Sequence, residues 1–228
     1  MHRDFDCILV ERHAAVYVEI PKVACTSVKT ALAPACGVTL PADGNPHDLR
    51  WPLADGPPFP GRFSFAFVRD PWDRLVSCYR DKLRGEVDGF TSFTVRPGVA
   101  NCLARFDRFV AGMSFAAFVR AVAAIPDAEA DAHFRSQHGF VCVDGALAVD
   151  AIGRFERLDE DFAAIARRIG LATAALPRLQ AVRAPSPFAA FYTAETRDLV
   201  AERFARDIEL FGYAPPALTA ASPPPVTP

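Results

Sequence analysis

The sequence has almost no net charge: 25 Lys and Arg face 27 Asp and Glu, a formal charge of −2 at pH 7. That balance excludes a global attraction to nucleic acid or to an anionic membrane, so any recognition of anions must be local. Long apolar runs are missing as well. No N-terminal stretch approaches the ~20 residues of a membrane span, and Met1 to Asp6 is polar, so neither signal peptide nor anchor is expected and the cytoplasm is the default compartment. The six cysteines (Cys7, Cys25, Cys36, Cys78, Cys102, Cys142) form no C-x-x-C pair and no zinc-like spacing, so they read as reduced, mostly buried small residues, and no metal is expected. The glycines of a Walker A phosphate loop are also lacking, which disfavours a nucleoside triphosphatase.

What is present is apolar: 51% of 228 residues, enough for a sizeable core and better suited to one α/β domain than to two. The chain is organised around Tyr17 to Ala31, YVEIPKVACTSVKTA. The alternating Val16, Val18 and Ile20 predict a strand, Pro21 breaks it, and small residues and hydroxyls lead into a helical segment. A strand, a tight loop and a helix N-terminus leave backbone N–H groups unpaired at the positive end of the helix dipole. Lys22, Thr26 and Ser27 add a cation and two hydroxyl donors there. The stretch therefore predicts an anion site for phosphate or sulfate. Cys25 permits another reading, a phosphatase-type nucleophile under a helix N-terminus, but the arginine such a loop needs six residues on is replaced by Ala31.

Upstream, Cys7 to Val10 and Ala15 to Ile20 predict a hairpin or two neighbouring strands. Downstream, a helix is expected from Thr26 to about Ala35, stopped by Gly37. Thr39 to Gly61 is rich in Pro and Gly and too long for a simple connection, which suggests a lid or binding loop carrying His47 and Trp51. Arg62 to Arg69 reads as a buried strand, and Asp70-Pro71 opens a helix with Asp70 as N-cap and Leu75, Tyr79 and Leu83 along its apolar stripe. Arg69 then stands at a strand's carboxyl end, where ligands collect in open α/β sheets. Gly85 to Gly112 reads as an insertion with a short helix at Ala100 to Phe109. Further helices are expected at Ser114 to Ile125, Leu158 to Ile169 and Thr193 to Phe211, with a last strand at Ala151 to Phe155. The expected domain runs over residues 1–213, and the proline-rich 214–228 should be a disordered tail.

Two motifs together, IPKVACTS and FVRDPWDRLVSCYRDKL, resemble the sulfotransferase family 2 group, the Golgi-type carbohydrate sulfotransferases and their bacterial relatives. HFRSQ, GRFERLDEDF and FYTAETRDLVAERFARDIELFGY follow in the family's order, so the resemblance covers most of Val16 to Tyr213. It implies an α/β fold with a P-loop-like central parallel sheet flanked by helices. It also implies the donor 3′-phosphoadenosine 5′-phosphosulfate (PAPS). The resemblance places the 5′-phosphosulfate on Lys22, Val23, Ala24, Cys25, Thr26 and Ser27, and the 3′-phosphate on Arg69 and Ser77. A carbohydrate or glycoconjugate acceptor is implied in the same way, with no nucleic-acid partner. The family's animal members carry an N-terminal anchor that is not seen here, so Golgi residence does not transfer.

Sulfuryl transfer needs stabilisation of the oxygen that leaves with the nucleotide and a base for the acceptor hydroxyl. Lys22 is the candidate for the first role. For the base the candidates are His47, then His133, then Glu19, with His47 favoured because other sulfotransferases place their base between the two anion motifs. The rival readings are a P-loop-like nucleotide kinase or phosphohydrolase, which would require magnesium, and a non-catalytic nucleotide-binding protein.

Overall fold

The computed structural model describes residues 5–41, 45–83, 98–173, 175–177 and 188–218. Among these the strands are β1 (Cys7–Val10), β2 (Ala15–Val18), β3 (Phe63–Val68), β4 (Cys142–Val143), β5 (Ala146–Leu147) and β6 (Ala151–Arg154). The helices are α1 (Cys25–Leu32), α2 (Pro71–Lys82), α3 (Asn101–Ala104), α4 (Phe115–Ala123), α5 (His138–Val141), α6 (Leu158–Ile169), α7 (Ala194–Arg203) and α8 (Ala205–Phe211). The residues group into two compact units, Met1–Arg69 with Gln137–Ala184, and Asp70–Ser136 with Pro185–Pro228.

The first unit is mixed α/β, built on a mostly parallel sheet in the order β1-β2-β3-β6. β1 and β2 are antiparallel, joined by a 3-10 turn at Glu11–His13 and by Ala14, which sits in the left-handed region at φ 46°. β2 to β3 and β3 to β6 are parallel, with Val18 opposite Ala66 and Val68 opposite Arg154. Parallel strands need both faces covered, and every residue of β2 is buried accordingly. The core includes Tyr17 stacked on Phe65 at 5.5 Å and Phe67 against Phe162 of α6 at 6.4 Å. Gly153 lies opposite Phe67 in the ladder, and a Cβ there would clash with the Phe67 ring, so the close approach of the two strands is made at a glycine. α6 ends on Gly170 at φ 71°, and a ring N–H of His13 reaches the carbonyl of Ile169 at 2.7 Å, satisfying one of its last acceptors.

Three expected elements differ in detail. α1 closes at Leu32 instead of Ala35, because Pro34 has no N–H to continue the ladder. The run Phe140 to Val143 is divided between the end of α5 and β4. The long loop after α1 pairs with the sheet: Leu9 N–H bonds to Pro52 O at 2.8 Å and Ala54 N–H to Cys7 O at 2.8 Å, so Pro52 to Ala54 runs along the outer edge of β1.

The second unit is helical. Asp70 caps α2, its Oδ1 accepting from Trp72 N at 2.8 Å and Asp73 N at 3.1 Å, with Pro71 at the first helical position. Its core gathers Trp72, Phe109, Phe118 and Phe134, all fully buried. The helix expected over Thr193 to Phe211 begins with the Thr193/Thr196 capping box but divides into α7 and α8. Phe204 leaves helical geometry (φ −114°, ψ 24°) and is buried in the core, so the helix restarts after it. Among its described residues the insertion contributes the single turn α3; 84–97 and the tail beyond 218 lie outside the described residues. No helix among the described residues is long and apolar enough to cross a membrane.

Candidate anion site at the start of the first helix

The carboxyl ends of β2, β3 and β6 share one edge of the sheet, and the residues just past them are the ones that carry chemistry. After β2 come Glu19, Ile20, Pro21 and Lys22; after β3, Arg69; after β6, Phe155. The loop leading to α1 is bent by two left-handed non-glycine residues, Lys22 at φ 70° and Ala24 at φ 53°. Each conformation costs about 1–2 kcal/mol for an L-residue. Left-handed residues in a short loop turn successive N–H groups toward one concavity, the geometry that binds phosphate-like anions. α1 starts at Cys25 with no side-chain cap on its first amides. Val23 is fully buried and anchors the loop, while Lys22, Ala24, Cys25, Thr26 and Ser27 are half-buried at its rim.

Arg69 fastens this loop. Its Nη1 donates to the Lys22 carbonyl at 3.0 Å, and its guanidinium lies 3.9 Å from the centre of the Phe155 ring. The backbone of Arg69 is itself clasped by Gln137, which is fully buried: Arg69 N–H donates to Oε1 at 2.9 Å and Nε2 donates to Arg69 O at 2.8 Å. Gln137 thus continues the ladder for one residue where β3 ends.

His47 arrives from the long loop on a 3-10 turn, Pro46–Asp48, capped by Asn45 Oδ1 accepting from His47 N at 3.1 Å. Trp51 secures the same turn by donating from Nε1 to Pro46 O at 2.8 Å. His47 Nε2 lies 3.1 Å from Thr26 Oγ1 and 3.6 Å from Cys25 Sγ. Its Nδ1 lies 3.4 Å from Glu19 Oε1 and 3.3 Å from Lys29 Nζ. Behind the ring, Lys29 and Glu19 are both buried and paired at 2.6 Å, with Asp6 Oδ2 a further 3.4 Å contact for the ammonium. Burial raises the Glu19 carboxyl above its ordinary value, and Lys29 pulls against that rise. Burial, and then the nearby Glu19 charge, push the Cys25 thiol up to about 11. A thiol held neutral at physiological pH does not suit the phosphatase-type nucleophile, which needs a depressed pKa.

The sequence-predicted residues thus divide. Lys22, Thr26, His47 and Arg69 are brought together with Glu19 in the first unit. Ser77 and His133 belong to the second unit, Ser77 half-buried midway along α2. His133 Nδ1 is 2.6 Å from Asp131 Oδ1, and Asp131 also faces Arg105 at 3.8 Å. Lys29, Gln137 and Phe155 were not anticipated. Lys29 had a signal: it follows Cys25 by one helical turn, on the face that looks back at the loop. Two sets of donors among the described residues lie within 4.8 Å of one another and can hold a cation, Glu19–Cys25–His47 and Cys102–Asp131–His133. In the first, the Lys29 ammonium already supplies positive charge at Glu19.

The sulfotransferase family profile matches residues 6–214. Carbohydrate sulfotransferase 14 of Danio rerio is 30% identical over 179 residues, 70% of this chain and 47% of that protein. The human carbohydrate sulfotransferase 14 is 26% identical over 172 residues, 68% of this chain and 44% of its own length. Carbohydrate sulfotransferase 12 of Xenopus laevis is 28% identical over 214 residues, covering 75% and 50% of the two chains. The chain therefore spans about half the length of the relatives it matches, and no solved structure matches it significantly. With the profile covering nearly all of the described residues, the chain belongs to the sulfotransferase family.

Proposed function

We propose that the protein is a PAPS-dependent sulfotransferase that moves a sulfuryl group to a hydroxyl of a carbohydrate or glycoconjugate acceptor. The observation that carries this reading is the junction of the strained loop Lys22–Ala24 with a histidine, His47, whose Nε2 lies 3.1 Å from Thr26 at the start of α1. The site fits the donor's chemistry. The loop offers backbone amides, a cation and the Thr26 and Ser27 hydroxyls to a doubly charged phosphosulfate. Arg69 offers its fixed fork of donors to a second phosphate, and the carbohydrate sulfotransferase names of the relatives support the acceptor class.

The donor supplies an activated sulfuryl group whose bond to the phosphate oxygen breaks as the acceptor oxygen bonds to sulfur. The chain's residues then have separable tasks. The amides from Val23 to Ser27 orient the phosphosulfate without reorganising during the reaction. Lys22 stabilises the negative charge that develops on the departing phosphate oxygen. His47 Nε2 takes the proton of the attacking hydroxyl, so the product carries the new O–S bond and the imidazole carries the proton. The test is a screen of sugars, glycoconjugates and small phenols with labelled PAPS. Transfer of label to a sugar hydroxyl is the expected result, and transfer only to phenols would overturn the acceptor class.

A further inference from the structure

We propose that Glu19 is a positioning residue that holds His47 in the tautomer protonated at Nδ1, leaving Nε2 unprotonated toward the acceptor. The inference rests on the reading of His47 as the base. A histidine can serve as base at Nε2 only if its other nitrogen carries the proton, and the neighbours of Nδ1 decide which nitrogen that is.

Two groups face Nδ1, and they demand opposite tautomers. The Glu19 carboxylate, with Oε1 3.4 Å from Nδ1, favours a proton on that nitrogen. The Lys29 ammonium, with Nζ at 3.3 Å, would donate to a bare Nδ1 and drive the proton to Nε2. Two of the ammonium's three N–H groups have carboxylate partners, Glu19 Oε2 at 2.6 Å and Asp6 Oδ2 at 3.4 Å, and two carboxylates against one ammonium leave the charge behind Nδ1 net negative, which favours a proton on that nitrogen. The carboxylates thus engage the ammonium, and Glu19 Oε1 stays directed at the ring. The side facing Nε2 agrees. Thr26 Oγ1 at 3.1 Å and the Cys25 thiol at 3.6 Å, the latter kept protonated by burial, are both able to donate to a bare Nε2. The charged and titratable groups around the ring are therefore Glu19 from the end of β2, Lys29 and Cys25 from α1, and Asp6 beyond Lys29. Burying a carboxylate and an ammonium behind one imidazole is expensive unless each is paired. Orienting that imidazole gives the cost a use.

The test is the ¹⁵N NMR signature of the His47 ring, in wild-type and Glu19→Gln protein, together with turnover against pH. In the wild type the ring should be protonated at Nδ1 and bare at Nε2 at neutral pH. In Glu19→Gln, Lys29 keeps the remaining oxygen and the amide NH₂ is left to face Nδ1, so the proton should move to Nε2. Turnover should then fall by about 10²- to 10⁴-fold, the range seen when a histidine base is held in the wrong tautomer. The acidic limb of the turnover profile should also move to lower pH, since a negative charge beside the imidazolium is lost. A purely structural Glu19 would leave the tautomer of His47 as it is in the wild type. If the variant does not fold, the wild-type ring spectrum decides alone: protonation at Nε2 overturns the proposal. His47→Ala with full turnover would instead remove the base reading, a failure distinct from a wrong tautomer.

Discussion

Arg69 donates from Nη1 to the carbonyl of Lys22 at 3.0 Å, so the arginine at the end of β3 holds the loop that follows β2. Lys22 sits at φ 70°, a conformation an isolated chain would leave. The hydrogen bond to its carbonyl, with the buried Val23 beside it, helps to retain it. Arg69 is thereby both a candidate phosphate ligand and a brace for the other anion site.

These two roles predict a graded effect on nucleotide binding. Adenosine 3′,5′-bisphosphate should bind wild-type protein more tightly than adenosine 5′-monophosphate, because only the former engages Arg69 with a second phosphate. Arg69→Ala should weaken both ligands, the bisphosphate more, with a difference of about 1.5–3 kcal/mol as for a hydrogen bond to a charged group. Calorimetry showing equal affinities in the wild type would remove the 3′-phosphate role and leave the brace.

Gly153 predicts a stability effect far from charge. Gly153→Ala would press a methyl into the Phe67 ring and should destabilise the protein by about 1–3 kcal/mol, as overpacking does. Chemical denaturation measures it. A neutral result would mean that β6 can shift away from β3 at no cost.

Asp127 gives a pH prediction. Burial pushes its carboxyl up, but the Ser136 N–H and Arg203, 2.7 Å away, outweigh burial and hold it below its ordinary value. A carboxyl lowered on folding stabilises above its unfolded pKa of about 3.9 and loses that contribution as pH falls through the folded value. Asp127→Asn should therefore be less stable than wild type at pH 7, and the gap should close in acid, below about pH 4. A gap that persists unchanged there would assign the loss to packing instead of charge.

Metal dependence separates sulfuryl transfer from the kinase reading. If Lys22, the helix amides and Arg69 carry the charge stabilisation, chelator should leave transfer from PAPS essentially unchanged. Activity that disappears with chelator and returns with magnesium would favour the kinase.

The sequence showed most of what lies along the chain and little of what folds across it. β3, α2 with its Asp70 cap, and α6 with Gly170 were legible because period, cap and stop agree locally. The strand, loop and helix junction at Lys22 was legible because Pro21 breaks an alternating apolar run and a helical segment follows at once. The pairing of Glu19 with Lys29 was not, since a glutamate in an apolar strand gives no sign of its partner until β2 and α1 are packed. His47 was singled out for its place between two motifs. The devices that put it beside Thr26, the Asn45 cap, the Trp51 bond and the pairing of Pro52 to Ala54 with β1, come from a loop without periodicity. The break at Phe204 was hidden because helical spacing continues through it.

In the proposed reaction the loop at Lys22 holds a transferring group whose charge grows in the transition state. Measuring kcat and the dissociation constant of adenosine 3′,5′-bisphosphate for Lys22→Ala tests it most directly. If Lys22 acts on the departing oxygen, kcat should fall by roughly 10²- to 10³-fold, comparable to losing an oxyanion donor, while bisphosphate affinity falls much less. An equal loss in both, or a loss of affinity with kcat intact, would make Lys22 a ground-state anchor with no part in stabilising the departing oxygen.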